Sequence, residues 1–273
     1  MYTIGQQEIF FALVLRFCRP IRDLNYFYSL FIRILRLGYC SHVEIVLVRH
    51  GQPEWRAGEE YTLDPCLTKL GLEQAILSAS ALQGQRYEGL WVSDLKRAKE
   101  TLIPFEEVLD FGSLTVFPWL REMSDAKEKS LFGKSKEEIS NFFIERNTRP
   151  FEEWLENYHG QYFTGYSLNI LKNLEEELLP LGVSVLKSET EKVFSIKGPE
   201  KRDLLIVSHA GTMSVLLSFF LDTPLYPWTW RRFLPAHGAH TSLRSTRVED
   251  GYVFRMKKFN DTSFYDNESL VTY

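Results

Sequence analysis

Cysteine is scarce in this chain. Cys18, Cys40 and Cys66 are an odd set, too few for a disulfide framework and spaced like no zinc knuckle, so a reducing compartment is the simplest setting. A basic excess is missing too. The formal charge of −4 lacks the positive footprint that binding to a phosphate backbone needs, and no nucleic acid is expected as a partner. Long apolar runs are absent: Ile9 to Leu15 and Tyr26 to Ile32 each end at an arginine, short of the ~18 to 20 residues of a membrane-spanning helix. No repeat or low-complexity tract occurs, which excludes disordered and collagen-like classes.

What the chain does have is 273 residues, 44% hydrophobic and 14% aromatic. That is enough for a substantial core, in one large domain or in one domain with an appendage. Charge is spread unevenly. Residues 1-42 hold Arg16, Arg19, Arg22, Arg33 and Arg36 against Glu8 and Asp23, and Arg19, Arg22, Arg33 and Arg36 share one arc of a helical wheel that Pro20 interrupts. This segment reads as a basic amphipathic extension. Peripheral contact with a membrane, a helix packed on the body, and sequence lying ahead of a true start near Val43 are three readings that stay open. A secretory signal fits poorly, because the positive charges follow the first apolar run.

From Val43 the pattern alternates between strand and helix. Val43 to Val48 is a β-branched run of the kind that forms a buried parallel strand, ending at Arg49-His50-Gly51. Thr68 caps a helix to about Gln83, closed by Gly84. Leu90 to Val92 is a short strand, with Ser93 and Asp94 as N-cap candidates for a helix through Arg97 and Thr101 toward Pro104. Ser135 and Glu138 have capping-box spacing, and a further helix is expected from Ser167 to before Gly182. Leu204 to Val207 is a second apolar strand, stopped by Ser208-His209-Ala210-Gly211, and an apolar helix runs from Thr212 to Leu221. Thr241 to Val248 and Tyr252 to Phe259 alternate around Asp250-Gly251 as a hairpin would.

Open α/β sheets bind ligands beyond the carboxyl ends of their strands. Three strands here end in functional side chains: Arg49 and His50, a helix bearing Arg97, and His209. The planar arginine fork matches a phosphate bidentately, and helix N-termini behind Gly51, Ser93 and Gly211 are expected to add backbone donors. A neutral histidine on the floor of such a pocket can act as a nucleophile. His237 and His240 are spaced like a metal pair but lack a third ligand at a sensible spacing, so they read as hairpin or pocket-rim residues, and no metal is expected.

Arg49-His50-Gly51, Arg97, Glu122 in Leu120-Arg121-Glu122, and His209-Ala210-Gly211 resemble, in chain order, the motifs of the histidine phosphatase superfamily, also called phosphoglycerate-mutase-like. Asp64-Pro65, Leu67-Thr68 and Gly71 through Gln74-Ala75 fall between the first two motifs, and the resemblance runs from about Val43 to Thr262. It implies a three-layer α/β/α sandwich with a mostly parallel sheet over residues 43-265, a helical substrate-covering insertion over 123-166, and a tail over 266-273. It also implies catalysis by His50 and Glu122, with Arg49, Arg97 and His209 binding the phosphoryl oxygens. His50 would become a phosphohistidine, and Glu122 would protonate the leaving oxygen and then activate water. No metal and no cofactor would be needed.

The expected substrate is a small-molecule phosphomonoester and the expected setting cytoplasmic, with membrane association through residues 1-42 left open. Mutases of the family place a small residue and then Trp-Asn after the nucleophile, whereas this chain reads Gln52-Pro53-Glu54-Trp55-Arg56, which favours hydrolysis over transfer. The insertion is rich in aromatics, among them Phe132, Trp154, Phe163 and Tyr166, suited to cover an apolar leaving group. A bisphosphoglycerate-dependent mutase, and a membrane-associated phosphoprotein-binding or scaffold module, are the alternatives.

Overall fold

A computed structural model describes residues 42–54, 64–123, 134–135, 137–138, 141, 158–186, 191–198, 202–225 and 232–273, with side chains from residue 162 onward in the helix that starts at 158. The basic extension except His42, the stretch around Arg56 and most of the expected insertion lie outside these residues. In chain order the elements are β1 (Glu44–Arg49), α1 (Lys69–Ser80), β2 (Arg86–Ser93), α2 (Lys96–Val108), β3 (Asp110–Phe117), α3 (Tyr158–Leu178), β4 (Val183–Leu186), β5 (Val193–Ile196), β6 (Leu204–Ser208), α4 (Ala210–Phe220), β7 (His240–Val248) and β8 (Gly251–Asp261).

The strands form one sheet in the order β3-β2-β6-β1-β7-β8-β5-β4. It is mixed, not mostly parallel as expected. β3, β2, β6 and β1 run parallel, whereas β1 with β7, β7 with β8, β8 with β5, and β5 with β4 are antiparallel. The parallel half follows from helical crossovers, which return the chain to the same end of the sheet. The other half is built from strands that double back. Edge strand β3, interrupted by Gly112, and the four-residue β4 and β5 carry too short or too irregular an apolar pattern to be read from the sequence.

Helices cover both faces. Strand alternation sends Ile45 and Leu47 into a core with Ile170 and Leu174 of α3 and Met213, Leu216 and Phe220 of α4. Val46 and Val48 point the other way, onto Ala79, Ala98, Leu102 and Phe105 of α1 and α2. A strand buried on both faces must be apolar throughout, which is why β1 and β6 were the most legible elements.

The helix starts hold instructive differences. Thr68 caps α1 as expected, its hydroxyl accepting from Gly71 N at 2.9 Å. Ser93 and Asp94 do not cap α2. The N-cap position is Leu95, and Lys96 N donates instead to Asp64 Oδ1 at 2.8 Å. The helix expected from Ser167 begins at Tyr158, and Ser167 is buried within it. α4 starts at Ala210, two residues before Thr212. The Ser135–Glu138 capping box forms, with Ser135 N on Glu138 Oε2 at 2.9 Å. Residues 266–273, set apart as a tail, fold back onto the body, and Leu270 is buried.

His240 fastens β7 to α1. Ser78 Oγ donates to Gly238 O at 2.8 Å, so the 2.7 Å contact between Ser78 Oγ and His240 Nε2 is a donation from the ring. Burial pushes this imidazole down to about 4, with Asp261 opposing the shift and Lys258 adding to it. Between that value and the ordinary one near 6.5, an unfolded chain binds a proton that the folded chain refuses. Stability is therefore complete above about pH 6.5 and is lost as pH falls toward 4, by roughly 3 kcal/mol from this residue. Urea unfolding at pH 7 and pH 4.5 should show the loss, and His240→Gln should narrow the difference between the two.

Candidate active site

Three adjacent parallel strands end level with one another. Arg49 of β1 pairs with Ser208 of β6, and Val92 of β2 pairs with Val207 of β6, so the residues that follow meet at one edge of the sheet. Arg49, His50, Arg97 and His209 are all buried there. Gly51, directly after His50, lies so close to the first turn of α1 that a Cβ on it would collide with the Gly71 carbonyl, and a Cβ on Gly71 would collide with the Gln52 carbonyl. Two glycines in contact let the backbone turn tightly beneath the histidine.

The hydrogen bonds of His50 fix its tautomer. Nδ1 lies 2.7 Å from Gly51 O, an atom that can only accept, so Nδ1 carries the proton. Nε2 accepts from Arg97 Nε at 3.2 Å. The lone pair of His50 thus sits on Nε2, beside a guanidinium. The His209 ring lies 5.0 Å from the His50 ring, centroid to centroid, and Arg49 Nη1 is anchored on Pro235 O at 2.7 Å.

His209 is held neutral. Burial drives its imidazole well below the ordinary range, and Arg97, His50 and Arg49 push it the same way. Its Nε2 is 2.8 Å from Ser93 Oγ, while Leu95 N donates to the same hydroxyl oxygen at 3.3 Å. When the hydroxyl proton points to Nε2, the ring proton lies on Nδ1. That atom is buried without a hydrogen-bond partner among the described residues, a donor in want of an acceptor.

Glu122 reaches the N-terminal turn of α4, where its carboxylate accepts from Gly211 N at 3.1 Å and from Met123 N at 2.9 Å. This corrects the expected backbone donors. Gly211 N serves Glu122, Gly51 N donates to Thr101 Oγ1 at 3.0 Å, and Lys96 N serves Asp64. These three N–H groups are engaged within the protein. The Glu122 loop is pinned from two helices: Thr212 Oγ1 donates to Arg121 O at 2.8 Å, and Tyr166 lies 2.9 Å from the same carbonyl and 2.6 Å from the threonine hydroxyl.

Sequence reasoning missed several of these roles. Ser93 and Asp94 read as caps, yet Ser93 serves His209 and Asp94 holds Arg121 through two 2.6 Å bonds. Tyr166 read as part of a cover. His237 read as rim, but it is fully buried with its ring 5.5 Å from that of His50, while His240 belongs to the α1 contact. Among the described residues no group of three His, Cys, Asp or Glu side chains is placed to hold a metal ion. Two guanidinium groups, a neutral imidazole donor and an imidazole lone pair suit a tetrahedral oxyanion whose central atom is attacked by nitrogen.

Comparison with known proteins places this geometry. The model of the histidine phosphatase superfamily (branch 1) matches residues 45–165. A metal-independent phosphoserine phosphatase of Arabidopsis thaliana is 32% identical over 112 residues, 38% of this chain and 47% of the relative, so the chain spans about half that relative's length. A 2,3-bisphosphoglycerate-dependent phosphoglycerate mutase of Parvibaculum lavamentivorans is 30% identical over 154 residues, 53% of this chain and 70% of the relative. In fold, the chain is similar to a crystal structure of phosphoserine phosphatase from Entamoeba histolytica in complex with 3-phosphoglyceric acid, with a TM-score of 0.56 at 17% identity, covering 81% of this chain and 98% of that one.

An oxyanion pocket of this kind should be measurable without turnover. Inorganic phosphate or orthovanadate should raise the melting temperature, the gain reaching about 2.7 kcal/mol at a hundred times the dissociation constant. Arg97→Ala should remove most of that ligand-induced rise, whatever it does to the melting temperature without ligand. An undiminished rise would place the anion elsewhere.

Proposed function

Because this chain belongs to the histidine phosphatase superfamily, we propose that it hydrolyses small phosphomonoesters through a phosphohistidine on His50, without a metal ion. The observation that carries the reading is the His50 tautomer, with its lone pair on Nε2 beside Arg97 and its proton tied to Gly51 O. Nε2 attacks phosphorus, the bond from phosphorus to the leaving oxygen breaks, and Glu122 gives that oxygen a proton. Glu122 then takes a proton from the water that attacks the phosphohistidine, and the P–N bond breaks to release phosphate. Arg49, Arg97 and His209 Nδ1 hold the phosphoryl oxygens as charge shifts onto them. The cationic groups take the part that a metal plays in other phosphoryl transfers, in keeping with the similarity to a metal-independent phosphoserine phosphatase of Arabidopsis thaliana.

The mutase relative favours one other reading, phosphoryl transfer primed by bisphosphoglycerate. Arg56, where the mutases place asparagine, weighs against it, and a turnover that does not need bisphosphoglycerate would decide for hydrolysis. Turnover of any phosphomonoester would also set aside a scaffold that only binds.

Rapid quench with labelled substrate, in the presence of chelator, should trap an acid-labile, base-stable phosphoenzyme. His50→Ala should abolish it, and label that persists in this variant would sink the assignment. The role of Glu122 is read from the leaving group. Glu122→Gln should slow phosphorylation by an alkyl phosphate ~10²- to 10⁴-fold and slow the nitrophenol burst from para-nitrophenyl phosphate far less, because nitrophenolate hardly needs a proton. Equal losses would remove Glu122 as the acid.

A further inference from the structure

Residues 270–272 reach the surroundings of His50 by two routes, through Gln74 and through His237. Gln74, buried in α1, is the hub. Its Nε2 donates to Leu270 O at 2.7 Å and to Thr272 Oγ1 at 2.9 Å, and its Oε1 accepts from Gln52 N at 2.8 Å. The Leu270 carbonyl can only accept, so the orientation of the amide is fixed. Gln52 is two residues past His50, and this bond holds the backbone on the far side of the histidine. On the near side, His237 N donates to Thr272 O at 2.8 Å, and Gly238 N donates to Arg49 O at 3.0 Å.

The same hydroxyl that receives Gln74 also meets His237, with Thr272 Oγ1 2.9 Å from His237 Nδ1. Gln74 Nε2 has only protons to give, so Thr272 Oγ1 accepts there. Its own single proton then has one receiver among its hydrogen-bond partners, His237 Nδ1. With that proton directed at Nδ1, a relay from Gln74 through Thr272 would leave His237 protonated at Nε2. The His237 ring lies against the His50 ring at 5.5 Å, inclined by 45°.

We propose that Thr272 is a positioning residue for the nucleophile: its hydroxyl sets the tautomer and orientation of His237, and His237 packs on His50 to hold Nε2 in line with phosphorus. This rests on His50 as nucleophile, but one arm of its test does not depend on turnover. An imidazole linked to the chain by two torsions needs a wall on each face to keep its lone pair aimed. The rings of His209 and His237, 5.0 and 5.5 Å from that of His50, supply such contacts, and Arg97 Nε meets the lone pair at 3.2 Å. Small errors in such alignment are costly, because a displacement of about 1 Å can cost ~10²-fold in rate.

Long-range ¹⁵N–¹H spectra of histidine-labelled full-length protein should show His237 with its proton on Nε2. Thr272→Val keeps the shape and loses the hydroxyl. It should give His237 a mixed tautomer, move the ring nitrogens of His50, and slow phosphoenzyme formation about 10-fold with KM little changed. Thr272→Ser should restore all three. A wild-type His237 protonated on Nδ1 would overturn the proposal, even if the valine variant does not fold. So would a folded Thr272→Val protein whose His50 resonances and phosphorylation rate match those of wild type. Loss of the label in His50→Ala reports separately on the nucleophile.

Discussion

Two guanidinium groups buried beside two imidazoles are the constraint around which this molecule is arranged. Arg49 and Arg97 are 5% and 7% exposed, and each charge taken out of water costs several kcal/mol unless it finds partners. Carbonyls and a lone pair supply them: Pro235 O for Arg49, His50 Nε2 for Arg97. Burial, with Arg97, His50 and Arg49 acting the same way, drives the His209 imidazole well below its ordinary range, against a third positive charge. In the proposed function this pocket receives negative charge, with its cationic groups already held by partners in the protein. Such preorganisation lets a transferring phosphoryl group be stabilised with little rearrangement.

The proposed acid is held by a different part of the fold from the proposed nucleophile. His50 follows the central strand β1, whereas Glu122 sits on a loop whose backbone is pinned by Tyr166 of α3 and Thr212 of α4. Phe163 and Tyr162, close to Tyr166 in the same helix, pack on Met123 beside the acid. Helix α3 is thereby joined to the acid loop through both packing and hydrogen bonds. Substitutions at Phe163 or Tyr166 in α3 therefore have a physical route to the proposed leaving-group chemistry, separate from any contact with substrate.

Much of this was legible in the sequence because the residues concerned do one thing. Val46 and Val48 are strand residues by shape and by burial, and Arg49-His50-Gly51 needs only the strand end to be placed. Legibility failed where a residue type serves two purposes. Ser93 and Asp94 are good caps in isolation, but the site draws Ser93 to His209 and Arg121 draws Asp94, so the cap comes from Asp64, which no local pattern could nominate. The antiparallel half was missed for a simpler reason: β4 and β5 are too short to show a period, and β3 is half exposed at an edge. The fold-back of residues 266–273 depends on Gln74, nearly two hundred residues earlier in the chain, a distance at which sequence pattern carries no signal.

The position of β1 also governs the order in which the molecule can form. Its two neighbours in the sheet, β6 and β7, begin at Leu204 and His240, so the first strand among the described residues is among the last to be paired. Closing so long a loop is slow relative to local helix formation. On the ribosome, β1 waits, apolar on both faces, until most of the chain has been synthesised, and α1, α2 and β2 can form meanwhile only against each other. A partly made chain therefore leaves an apolar strand unpaired until β6 follows, and His50 meets His209 only after that.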